Sequence, residues 1–114
     1  MGAIGALQGF MDAWRENDWA KMMMHCQLTW MSIQKDARRT LALSFGAATL
    51  LSYTVEKTHE ISPVCVDFVV RLVVETDKGK ATYEKTAKVI CEVKPYKTSV
   101  DGYWGMNPFT IFGR

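Results

Sequence analysis

Cysteine is scarce in this chain: three residues in 114, at positions 26, 65 and 91. The number is odd, and no CxxC or Cys/His ligand spacing surrounds them, so neither a disulfide framework nor a zinc site is expected. A reducing compartment suits such usage. An excess of charge of one sign is also missing, since 14 Lys and Arg against 12 Asp and Glu leave a net +2. That is far from the concentrated positive field that nucleic acid requires, so no nucleic-acid partner is expected. Long apolar runs are absent: the most apolar stretch, Phe68 to Val74, carries Arg71 at its centre, and ~20 apolar residues are needed to span a bilayer. No membrane span is expected. The start, Met1 to Ala6, lacks the basic flank of a signal peptide, and Ala6 stands where the myristoylation pattern requires Ser or Thr. The expected location is the cytoplasm, with an exported domain cut from a longer precursor as the alternative. Internal repeats and low-complexity tracts are lacking as well.

What is present is enough apolar material for one core. Hydrophobic residues make up 48% of the chain, and 114 residues suit a single domain over 1–114. Ile4, Leu7, Phe10 or Met11, and Trp14 recur at three- and four-residue steps, the signature of an amphipathic helix. Asn17 and Asp18 interrupt that pattern with short side chains able to cap a new helix start. A second helix comes next, with Trp19, Met22, Met23, Cys26 and Trp30 on one stripe. A third, from Ser32 to Gly46, places Ile33, Ala37, Leu41 and Phe45 on one side and Lys35, Arg38 and Arg39 on another. Trp14 and Trp19 read as packing anchors on either side of the break.

From Leu50 onward the period changes to two. Strands are expected over Leu50 to Ile61, Val64 to Thr76, Ala81 to Lys94 and Tyr103 to Phe112, joined as an antiparallel meander. A four-residue turn at Asp77-Lys78-Gly79-Lys80 sets Val74 against Tyr83, Val70 against Ala87, Phe68 against Val89 and Val66 against Cys91. At Ser62-Pro63 the same reasoning pairs Ile61 with Val64, Val55 with Val70, Tyr53 with Leu72 and Leu51 with Val74. Both pairings gather apolar residues on one face. The expected fold is α+β, with three N-terminal helices on a strongly curved antiparallel sheet of about four strands.

The order Phe10-x-x-Ala13-Trp14-x-x-x-Asp18-Trp19, Leu51-x-Tyr53-x-Val55, the hairpin at Gly79 and Asp101-Gly102-Tyr103-Trp104 resembles the nuclear transport factor 2-like superfamily of the cystatin-like fold. The likeness is to its small bacterial members of unknown function. It implies a cone-shaped sheet, a pocket between sheet and helices, and frequent homodimers. It implies no particular activity, because the superfamily hosts isomerases, dehydratases, hydrolases and proteins without chemistry.

Enzymes of that shape keep a carboxylate inside the cone as a base. In the expected register Glu56, Glu60, Asp67, Glu75, Glu84 and Glu92 all take the phase opposite to the apolar face, so an interior base is missing unless a bulge flips one. The polar residues sharing the inward phase are Tyr53, Lys57, His59, Tyr83 and Lys85. With Trp30 and Trp104 as further aromatic walls they form the candidate pocket, whose basic character suits a small acidic or carbonyl-bearing ligand. Cys26 lies on the buried stripe and has no neighbouring base, since His25 diverges from it by about 100° around a helix. Cys65 and Cys91 fall on opposite faces. No catalytic residue, metal or cofactor is expected. The outward face carries Val69, Val73 and Ile90 framed by Thr54, Thr58, Asp67, Arg71, Thr86 and Lys88, with Val69, Arg71, Val73, Lys88 and Ile90 as the candidate homodimer interface. The leading expectation is a non-catalytic small-ligand-binding or protein-interaction module. A small isomerase, dehydratase or hydrolase using His59 or His25 with Tyr53 or Tyr83 is the alternative.

Overall fold

A computed structural model describes residues 2–112. The architecture is α+β: helices α1 (Ala3–Arg15), α2 (Trp19–Met23), α3 (Leu28–Ser32) and α4 (Ala37–Phe45) precede strands β1 (Thr49–Ser62), β2 (Cys65–Thr76), β3 (Gly79–Lys94), β4 (Lys97–Thr98) and β5 (Tyr103–Met106), with a short 3-10 turn (Pro108–Thr110) after them. The sheet is antiparallel, in the order β1-β2-β3 with β4 and β5 both pairing the far end of β3.

Local chemistry explains where the helices start. Asp18 accepts a hydrogen bond from the Lys21 amide at 3.0 Å, and Asp36 accepts one from the Arg39 amide at 3.1 Å, so both act as N-caps. Asn17 adopts a left-handed φ of 55° just before the first of these. The break expected there is real. The helix count differs: the second helix divides, because His25 to Gln27 leave the helical path and lie along β5. The Gln27 amide donates to the Met106 carbonyl and the Met106 amide to the His25 carbonyl, both at 2.8 Å. Two backbone bonds to a sheet edge outcompete continuation of the helix. The third helix begins at Ala37, not Ser32, which leaves Ile33 exposed in the linker. On α1 the buried stripe runs through Ala3, Ala6, Leu7, Phe10, Met11, Ala13 and Trp14, and Ile4 stays outside it.

The strands show one covered face and one open face. Along β2 the even positions Val66, Phe68, Val70, Leu72 and Val74 are buried and the odd ones are half-buried or exposed, the alternation of a sheet covered on one side. Two register differences arise from turn and bulge chemistry. At the β2–β3 hairpin only Asp77 and Lys78 form the turn, and Gly79, at φ 105°, already pairs with Thr76. Phe68 therefore faces Ala87, Val66 faces Val89, and Val74 faces Ala81, a shift of two residues that preserves every side chain's face. Between β1 and β2 the pairs Tyr53–Leu72 and Val55–Val70 form as expected, yet the register slips at Leu50/Ser52, Val55/Lys57 and Glu60/Ser62. The first slip puts Leu50, rather than Leu51, opposite Val74. Each extra residue reverses the phase of the strand beyond it. The last expected strand is shortened, ending at Met106 before the Pro108–Thr110 turn, where Asn107 accepts a hydrogen bond from the Phe109 amide.

The core lies between the covered face and the helices. Phe10, Trp14, Phe45 and Phe112 meet edge-on or tilted at 4.9 to 5.6 Å, above the β2 valines and leucine. Cys26 belongs to this core: it is buried, its thiol donates to the Met22 carbonyl, and burial pushes its pKa far above the usual thiol range. It is an inert packing residue. Cys65 and Cys91 do take opposite faces, and all three cysteines are free.

Candidate functional site

The bulge after Val55 decides where the polar side chains of β1 go. Beyond it, Lys57 pairs with Val69 and His59 with Asp67, both on the open face, while Thr58 and Glu60 fall opposite Phe68 and Val66 on the covered face. The inward phase expected for Lys57 and His59 is thereby reversed, as is the outward phase expected for Thr58 and Glu60. All four are exposed, because this end of β1 extends past the helices.

Four of the expected pocket residues do share the covered face. Tyr53 and Tyr83 flank Leu72 from either side, and Lys85 lies one row further on, opposite Val70. Lys85 is held by aromatic rings: its Nζ sits 5.6 Å from the Tyr83 ring centre and 5.7 Å from that of Phe112. Burial and the Asp12 carboxylate raise the Tyr53 pKa, with Arg15 opposing them. Trp104 stands at the other end, opposite Cys91. Trp30 packs edge-on against Phe109 at 5.5 Å, and its buried indole N–H finds no acceptor among the described residues. The seven residues are thus divided among the open face, two ends of the covered face and α3. Among the described residues no three His, Cys, Asp or Glu side chains gather as a metal site, and no helix is long and apolar enough to cross a membrane.

The open face is a built surface. Lys88 donates to Asp67 at 2.9 Å and lies 3.8 Å from the Cys65 sulfur, and Arg71 meets Glu56 at 3.3 Å. The hydrogen bond to Asp67 raises the Lys88 pKa further, so this ammonium stays charged. Val69, Val73 and Ile90 remain half-buried between these pairs, joined by Thr54, Thr82 and Thr86 on the same side. Two ion pairs thus form within the face.

A second feature is concave. A cleft of about 250 Å³ opens where α1 begins, bounded also by the Met24-His25 linker and by β5. His25 is central to it. Its ring occupies the space over Gly9, where a Cβ would come within 2.3 Å of the imidazole. Burial lowers its pKa below 6.5; Lys21 adds to that, and Asp12 opposes it. The unfolded chain therefore binds this proton more readily than the folded one. Stability that is full above the unfolded value should be lost as pH falls from about 6.5 towards the lower folded pKa, and then level off. Urea unfolding at several pH values should show this step in the wild type and lose it in His25→Gln; a step of unchanged size in the variant would assign the proton elsewhere.

No family model matches the chain, and no curated protein or solved structure matches it either.

Sequence reasoning missed one polar site altogether. Glu92 lies in the outward phase yet is only 3% exposed, because α3 covers it: its carboxylate accepts from the amide and the hydroxyl of Thr29. The Thr29 hydroxyl in turn accepts from the Tyr96 amide at 2.7 Å, at a residue with φ 65°. This relay ties α3 to the β3–β4 turn. The partners stand 63 residues apart, and nothing local to either marks the pairing.

Proposed function

We propose that the chain is a non-catalytic interaction module that associates with a second copy of itself through the open face of its sheet, on a nuclear transport factor 2-like plan. The observation that carries this reading is an uncovered sheet face with an apolar centre and two ion pairs formed within the face. Lys88 pairs with Asp67 and Arg71 with Glu56, so two copies related by a two-fold axis meet without net repulsion. Val69, Val73 and Ile90 supply the apolar centre, and Arg71 and Lys88 the polar rim.

The size of the face sets the strength. Three strands at ~4.8 Å spacing and ten residues at ~3.3 Å present roughly 14 by 33 Å, about 480 Å² per copy. That is the low end of specific interfaces, so a micromolar dimer is expected. The free edge of β1 does not compete as a docking strand, because three register slips and the charges of Glu56, Lys57 and Glu60 interrupt it. Sedimentation or light scattering at about 100 µM should give twice the 12.9 kDa chain mass. Val69→Lys places an unpaired charge at the centre and should return the monomer mass with an unchanged circular-dichroism spectrum. A wild type that stays monomeric at that concentration sinks the reading.

A further inference from the structure

The cleft at the start of α1 lies apart from the open sheet face, and its chemistry is different. The helix contributes Gly2, Gly5 and Ala6, which leave space in place of side chains. A Cβ at Gly2 would meet nothing within 4 Å. Strand β5 contributes Trp104, half-buried, and Tyr103, exposed. The linker contributes His25 and, at the rim, Met24, which is 78% exposed. Among the described residues none hydrogen-bonds the His25 ring, which leaves one ring nitrogen as donor and the other as acceptor. Among the described residues none that lines it carries a formal charge while that ring is neutral. Aromatic walls, an adaptable thioether and a floor without side chains favour a flat apolar body. The imidazole, without a partner among the described residues, favours a ligand edge that can accept if the protonated ring nitrogen faces the cleft or donate if the unprotonated one does. The volume, about 250 Å³, falls below the ~300 Å³ at which drug-sized pockets begin, so a body of one or two rings fits.

We propose that this cleft binds a neutral, planar heteroaromatic molecule of one or two rings, stacked on Trp104 and hydrogen-bonded in its plane to His25. The proposal is independent of the sheet-face dimer.

The test is a titration of the full chain, followed by amide NMR at about pH 7.5, where His25 is uncharged. The probes are benzimidazole, with one in-plane donor and one acceptor; indole, its isostere without the acceptor; and cyclohexanol, a saturated control. Benzimidazole should bind with Kd of roughly 1 mM, as small ligands do at ~0.5 kcal/mol per heavy atom. Its shifts should centre on the amides of Ala6, His25 and Trp104. Indole should bind about tenfold more weakly and cyclohexanol not measurably. His25→Ala should erase the difference between benzimidazole and indole. Gly2→Leu, at a position with φ −104° and open space around it, should weaken both while leaving the rest of the spectrum in place. Absence of saturable shifts with benzimidazole, or shifts centred elsewhere, overturns the site. Equal binding of cyclohexanol also overturns it, by showing that the cleft takes any apolar group, such as a partner's side chain.

Discussion

Replacing Trp14 by alanine should cost about 4 kcal/mol of folding stability, read as a drop in the urea midpoint at unchanged slope. Its side chain is fully buried, in the last turn of α1. The indole N–H donates to the Phe45 carbonyl at 3.2 Å and the Ala48 carbonyl at 2.9 Å, so it receives the free carbonyl end of α4 and the chain leading into β1. Its ring meets Phe45 at 4.9 Å and Phe112 at 5.5 Å, both edge-on. Alanine removes the ring and both hydrogen bonds together and leaves a cavity that three separate elements border. A chain of this length holds roughly 6–17 kcal/mol in all, so the loss takes a large share. Trp14→Phe keeps most of the ring contacts and should cost about 1–2 kcal/mol, which isolates the N–H. An alanine variant within about 1 kcal/mol of wild type would show that the aromatic cluster does not clamp the helices to the sheet.

Gly105→Ala should cost about 2–4 kcal/mol, although it adds a single methyl group. A Cβ there would lie 2.6 Å from the Cys26 carbonyl oxygen and from the Gln27 Cα, and these are backbone atoms that cannot rotate away. The clash falls where the 25–27 segment is hydrogen-bonded to Met106, so relief requires losing one or both of those bonds. Hydrogen exchange should report it locally, with faster exchange at the Gln27 and Met106 amides than elsewhere in the core. Two other glycines calibrate the effect. Gly79→Ala meets no atom and should cost only the ~1 kcal/mol of a left-handed turn residue, and Gly2→Ala should be near neutral. If Gly105→Ala costs no more than Gly79→Ala, the segment is not docked as described.

Much of this architecture is legible in the sequence because it rests on local rules. Asp18 caps because its side chain reaches an amide three residues on; Asp36 does the same, but the expected helix began before it, at Ser32. β2 is readable because its apolar residues alternate without interruption; the central pairs Tyr53–Leu72 and Val55–Val70 form as expected although the turn itself falls at Pro63-Val64, with Ser62 opposite Cys65, because the two register slips between turn and centre make up the difference. The candidate interface residues Val69, Arg71, Val73, Lys88 and Ile90 do share one face, since the β2–β3 register shifted by an even number. The candidate pocket was less legible. Its inward set depended on one unbroken phase along the whole of β1, and a single bulge after Val55 sends Lys57 and His59 the other way.

The cleft residues were hidden for a different reason. Met24 and His25 look like the continuation of a helix, and only the edge of β5 draws them out of it. Gly5 and Gly9 look like weak points of α1, but Gly9 makes room for the His25 ring and Gly5 borders the cleft.

By itself the sequence determined the passage from helices to strands, the capped restart at Asp18, the antiparallel meander and the burial of Cys26, all of which depend on spacing within a dozen residues. Tertiary structure alone decided the face on which each side chain of outer β1 lies, the burial of Glu92 under Thr29, and the parting of α2 from α3. The physical reason is that an extra residue in a strand, or a backbone bond to a distant edge, is chosen by the groups that pack against it. Segments tens of residues away set that choice, and they leave no periodic trace at the position they control.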